Sequence, residues 1–149
     1  FSNDGDIYVL YCLFGMDSQT PIAYDMKTGK KLFNLKHSSG VNNLSFTEDD
    51  RNIISASLDY TAKIWDRNDV QFPLQSYSVG SRVASVLHKG THPNRIFTIS
   101  IDGNIYVYDK DSALFVDGPY RGSDNCAWFS MNLKTKPQAD YFLAINPLN

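Results

Sequence analysis

Cysteine, net charge and long apolar runs are all scarce in this chain, and each scarcity removes a class of function. The 149 residues hold two cysteines, Cys12 and Cys126, with no CxxC spacing to suggest a metal or redox site. Both lie inside apolar runs, so they read as reduced core residues of an intracellular protein, a disulfide between them being the rarer alternative. The formal charge of −2 gives no bulk attraction to nucleic acid or to an anionic membrane. No apolar stretch approaches the ~18 residues that a membrane-spanning helix needs. The opening residues, FSNDGD, carry neither a Met nor the charged segment of a signal peptide. The chain reads as excised from a longer one.

What is present is apolar and repetitive. Aromatics make up 13% and hydrophobics 42%, enough to exclude a disordered chain, and the length suits one domain with a sizeable core. Aromatic-Asp pairs recur at Tyr24-Asp25, Trp65-Asp66 and Tyr108-Asp109, spaced 41 and 43 residues apart. Turn aspartates keep step with them. Asp59 and Asp102 each lie six residues before the closing aromatic, and Asp17 lies seven before Tyr24.

Between these marks the chain reads as strands. The first unit, 1–36, lacks most of a first strand, has a hairpin turn at Asn3-Asp4-Gly5, and continues with strands over Asp6–Phe14, Pro21–Asp25 and Lys31–Leu35. Lys30, Lys31 and Lys36 flank the last of these, as charges on an exposed edge do. The second unit, 37–78, is complete, with an outer strand near Pro73–Tyr77 whose proline an edge tolerates. The third, 79–120, has strands at Arg82–Leu87, Arg95–Ser100, Asn104–Tyr108 and Ala113–Val116. A further unit, 121–149, begins with strands at Cys126–Met131 and Tyr141–Ile145. Strands such as IYVLYCLF, RIFTIS and IYVYD are apolar on both faces, so each sheet needs cover from its neighbours.

The stretch His37–Asp66 carries the chemistry. Asp59 follows one apolar strand (Ile53, Ile54, Ala56) and precedes another (Ala62, Ile64, Trp65), which places it in a hairpin turn where its carboxylate can accept backbone N–H groups. A carboxylate beside an imidazole accepts its N–H and fixes the tautomer. With an early His37 and the spacing Ser-x-x-x-Asp-x-x-x-x-x-Trp-Asp met by Ser55, Asp59, Trp65 and Asp66, this stretch resembles a WD repeat. The resemblance implies a structural hydrogen-bond chain from Asp59 to His37, His37 to Ser55, and Ser55 to the indole of Trp65. In the third unit Thr98, Asp102 and Tyr108 match three of these positions, but Val79 replaces His37. There the chain cannot close, and packing must hold the unit. The implied fold is all-β, a series of four-stranded antiparallel blades forming an arc of a seven-bladed propeller; complementary partial units at the two ends leave a small four-unit ring as the rarer alternative.

Rival chemistries are weaker. Ser55, His37 and Asp59 have the side chains of a hydrolase triad, but no GxSxG elbow or oxyanion hole accompanies them, so no enzyme activity is expected. His88 and His92 in HKGTH have a metal-pair spacing that matters only on a helix, and Gly90 and Pro93 make the segment a turn. Asp4-Gly5, Asp102-Gly103 and Asp117-Gly118 read as turns without the alternating acids of a calcium loop. TEDD, Thr47–Asp50, is an acidic turn. No metal, cofactor or small-molecule substrate is expected.

Function then falls to the surface. Carried over by position, the resemblance places partner-binding rim residues at Met16, Leu58 and Ile101, just before the turn aspartates, and at Asn42, Arg82 and Asn125 in the first strands. Gly40, Ala84 and Ala127 lie beside them. The expectation is an intracellular scaffold, cytoplasmic or nuclear, docking peptides or partner domains within a multiprotein assembly. The alternative is an RNA-binding propeller contacting phosphates through Lys30, Lys31, Lys36, Arg82, Lys134 and Lys136, which steep salt dependence would reveal.

Overall fold

The structure is a computed structural model that describes residue 2 and residues 4–10, 21–88 and 92–121. Among the described residues all regular secondary structure is β, in eleven strands. Strands β1 (Ile7–Leu10), β2 (Ile22–Asp25) and β3 (Lys31–Asn34) form one sheet. A second contains β4 (Val41–Phe46), β5 (Asn52–Ser57), β6 (Thr61–Asp66) and β7 (Gln75–Ser78). The third contains β8 (Val83–Leu87), β9 (Arg95–Ser100), β10 (Asn104–Asp109) and β11 (Phe115–Arg121). Every pairing is antiparallel between neighbours in sequence. Each sheet is thus a meander, which short polar turns suffice to connect.

The two-sided apolar strands find their cover in the neighbouring sheet. Ile54, Ala56, Ala62, Ile64, Tyr77 and Val79 of the second sheet and its exit bury against Val83, Val86, Ile96 and Tyr108 of the third. On the opposite face, Leu35, Ile53 and Trp65 pack with Phe33 and Leu44, and Ile7 and Ala23 of the first sheet reach the same two residues. Two tyrosines clamp the interface between the second and third sheets. The Tyr77 hydroxyl donates to the Lys110 carbonyl at 2.6 Å, and that of Tyr108 to the Ser78 carbonyl at 3.1 Å. Their rings meet edge to face at 5.7 Å, a favoured aromatic geometry.

The closing aspartates, which serve the sequence reading only as repeat marks, cap the turns that follow them. Asp25 Oδ1 accepts from the Thr28 N–H (2.7 Å) and hydroxyl (2.8 Å), Asp109 Oδ1 from the Ser112 N–H (3.0 Å) and hydroxyl (2.8 Å), and Asp66 Oδ1 from the Asn68 N–H (2.8 Å). These are side-chain mimics of a backbone turn.

The outer strand of the third sheet departs from expectation. It spans Phe115–Arg121, not Ala113–Val116, and the Asp117-Gly118 pair expected as a turn lies inside it. The pairing of β10 with β11 is irregular between Ile105 and Tyr108, and a bulged edge strand uses glycine much as a turn does. Gly118 has φ +112, and a Cβ there would sit 2.7 Å from the Ile105 carbonyl oxygen. Replacing it with Ala is expected to cost about 1–3 kcal/mol, from backbone strain plus a steric clash. Urea unfolding of the Gly118→Ala variant measures this directly. Of the expected strand Asp6–Phe14, Ile7–Leu10 is seen. Its remainder past Leu10, Cys12, Cys126 and the unit expected at 121–149, apart from Arg121, lie outside the described residues.

Candidate functional site

Meander topology sends two kinds of segment to one end of the sheets. These are the links between sheets (35–40 and 79–82) and the second-to-third-strand turns (58–60 and 101–103). The Leu58 N–H donates to the Gly40 carbonyl, that of Ile101 to Arg82, and that of Val79 to Tyr60, so links and turns are stitched into one rim.

Beneath the rim of the second sheet lies a closed polar network. Asp59 Oδ2 is 2.8 Å from His37 Nδ1, His37 Nε2 is 2.7 Å from Ser55 Oγ, and Trp65 Nε1 donates to Ser55 Oγ at 2.9 Å. The proton positions follow from chemistry. A carboxylate only accepts, so Nδ1 carries the imidazole proton. An indole only donates, so Ser55 Oγ receives it and turns its own proton to Nε2. Every member is satisfied with His37 neutral, the condition under which a buried polar network stabilises. The ring of His37 also meets Trp65 edge to face at 5.8 Å.

Asp59 is the hub. Its Oδ2 also accepts the Ser38 N–H at 3.0 Å, and its Oδ1 accepts the Thr61 N–H at 3.0 Å and the Thr61 hydroxyl at 2.5 Å. Lys63 Nζ stands 4.0 Å from Oδ2, donates to the Lys36 carbonyl and lies 5.6 Å from the Trp65 ring centre. Burial pushes the carboxyl's pKa up, but the hydrogen bonds from His37, Thr61 and Ser38 outweigh it and hold Asp59 well below the usual carboxylate range. A depressed folded-state pKa contributes stability that is fully present above the unfolded value near ~3.9 and is lost as pH falls through the folded value. Asp59→Asn is therefore expected to lower stability at neutral pH by roughly 2–3 kcal/mol and to flatten the acid limb of the stability curve below about pH 5. Urea unfolding at a series of pH values checks both.

The distance from His37 to Ser55 would suit a nucleophile and its base, but access does not. Ser55 is fully buried and its oxygen is taken up by the indole N–H. A substrate carbonyl cannot approach it without dismantling the sheet, so the trio positions strands.

The third sheet makes the contrast. Val79 is buried where His37 stands in the second sheet, Tyr108 turns its hydroxyl to Ser78, and the buried Thr98 Oγ1 has no partner among the described residues. Ser57 and Ser100, two residues before each turn aspartate, are further polar supports that the sequence reading passes over. Ser57 Oγ donates to the Gly40 carbonyl at 2.9 Å and accepts the Asp59 N–H at 3.1 Å. Ser100 Oγ donates to the Asn104 carbonyl and accepts its N–H, both at 3.1 Å. The repeated Ser-x-Asp spacing is the only trace of this in the sequence.

Of the rim residues, Ile101 and Arg82 are exposed and Leu58 is half-buried. Asn42 is half-buried and donates its amide to the Val83 carbonyl at 3.0 Å, so it serves as a strut between sheets. Met16 and Asn125 lie outside the described residues. So do residues 89–91 of the HKGTH segment, where His88 Nε2 contacts the Pro93 carbonyl at 3.0 Å. Among the described residues no cluster of acidic, His or Cys side chains could hold a metal.

Comparison with known proteins agrees with this geometry. Residues 29–66 match the family described as "WD domain, G-beta repeat". The chain is similar to WD repeat-containing protein 1 of Bos taurus and of Mus musculus, each 33% identical over 117 residues. The Gallus gallus protein of that name is 33% identical over 119 residues. These alignments cover 75% of this chain and 18% of each relative, so the chain spans less than a fifth of the length of the relatives it matches. The matched repeat encloses the whole network from His37 to Trp65, and the chain belongs to the WD-repeat family, its antiparallel four-stranded sheets being of the propeller-blade type.

Proposed function

We propose that the chain is a non-enzymatic section of a propeller, acting in the cytoplasm or nucleus and docking peptides or partner domains on the rim at the turn end of its sheets. WD-repeat proteins generally act as protein-interaction scaffolds. One observation carries the reading furthest: the polar groups that could do chemistry are buried and mutually satisfied, whereas Ile101 and Arg82, held on the turn end, face solvent. Rigid display follows from the first fact, since a satisfied network under the rim fixes the loops before any partner arrives. Apolar anchors beside an arginine are the usual makings of a binding hot spot.

The test is binding by rim variants whose fold is intact. Ile101→Asp and Leu58→Asp are expected to weaken peptide binding at least about tenfold with little change in melting temperature. Binding that survives both variants, or that gives way to RNA binding with a steep salt dependence, would overturn the proposal.

A further inference from the structure

The residue after each turn aspartate adopts positive φ in the second and third sheets, but the two sheets fill the position differently. The third uses Gly103 at φ +80; the second uses Tyr60 at φ +69. A bulky side chain is sterically disfavoured in this region, and such outliers gather at functional sites. Glycine would serve the turn, because Tyr60 contributes only its backbone carbonyl, which accepts the Val79 N–H at 2.9 Å. Its side chain makes no hydrogen bond or ring contact among the described residues, and the residue is 49% exposed.

From Tyr60 the surface runs along the 79–82 link. Gly80 has nothing within 4 Å of where a Cβ would stand, so the floor is open. Arg82 at the far side is exposed, and its guanidinium has no ion pair or hydrogen bond among the described residues. Its backbone carbonyl holds Ile101, 49% exposed. Backbone hydrogen bonds thus set an exposed tyrosine, an open glycine, an exposed arginine unpaired among the described residues and an exposed isoleucine in succession along one rim.

We infer that Tyr60 and Arg82 form a recognition pair for an extended acidic peptide, the ring and Ile101 receiving an apolar side chain and the guanidinium pairing with an adjacent Asp or Glu carboxylate. This rests on the rim reading and names its partner class. A carboxylate suits a single arginine, whose planar fork binds it in two parallel bonds. Phosphopeptide sites are instead built from arginine clusters, and here the neighbouring Asp102 would repel a dianion about twice as strongly as a single carboxylate charge.

The test pans a phage-displayed random peptide library against the full chain and measures the best binders in solution. Expected are sequences pairing an aromatic or aliphatic residue with Asp or Glu. Their Kd should rise at least about tenfold on Tyr60→Gly and on Arg82→Glu, while the melting temperature of Tyr60→Gly stays level or rises as the backbone is relieved. A peptide with Lys in place of its acid should recover binding to Arg82→Glu. Binders indifferent to Tyr60→Gly and Arg82→Glu but lost with Ile101→Asp would overturn the pair and leave the rim reading standing. Binders indifferent to every rim variant, or none at all, would overturn both. Binding strengthened more than about tenfold by phosphoserine in place of the acid would overturn the carboxylate assignment.

Discussion

Replacing His37 with Ala is expected to destabilise the chain by about 2–4 kcal/mol, the cost of stranding hydrogen-bond partners inside a fold. The side chain is fully buried and sits between Asp59 and Ser55. Its removal leaves a largely buried carboxylate short of its imidazole donor and deprives the Ser55 hydroxyl of an acceptor. The edge-to-face contact with Trp65 goes as well. The expected fall in melting temperature is of order 5–15 °C for a domain of this size. Sheet three supplies the control. The Thr98 hydroxyl already has no partner among the described residues, so Thr98→Val should be neutral or stabilising by up to about 1 kcal/mol. A Thr98 variant as damaging as the His37 one would mean that burial, not the network, sets the cost.

Truncating Tyr77 to Ala is expected to cost about 3–5 kcal/mol, the range for deleting a large buried aromatic. Tyr77 is fully buried on the outer strand of the second sheet and is held by the third through Lys110 and the ring of Tyr108. The loss falls on the seam between sheets. Hydrogen exchange should accelerate in β7 and β11 first, with the inner strands following only at global unfolding. Tyr77→Phe keeps the packing and removes one hydrogen bond, so it should cost only about 0.5–1.5 kcal/mol. Equal costs for the two variants would show that the hydroxyl, not the ring, joins the sheets.

Much of this is legible in the sequence, for physical reasons that differ residue by residue. His37, Ser55, Asp59 and Trp65 announce themselves because each is costly to bury alone, and their spacing puts Ser55 and Trp65 on adjacent strands with Asp59 in the turn between them. The repeat of aromatic-Asp pairs gave the period, but the capping role of Asp25, Asp66 and Asp109 needed the turn geometry. Ser57 does not stand out, because one serine in an apolar strand has many harmless explanations. The extent of β11 is hidden because Asp-Gly signals a turn from sequence alike whether it reverses the chain or bulges an edge. Asn42 as a strut was out of reach: its partner is a backbone carbonyl 41 residues away, and no side-chain type marks it. Tyr60 was likewise silent, since a tyrosine after a turn aspartate is unremarkable until its φ is known.

The second sheet is locked from within by its own side chains, beneath the rim. The most direct measurement is solvent exchange of the Trp65 indole proton, followed by NMR in the wild-type chain and in His37→Ala. A closed network predicts exchange as slow as the global unfolding limit in the wild type and faster exchange once His37 is gone. An indole proton that exchanges freely in the native wild-type chain would contradict the account.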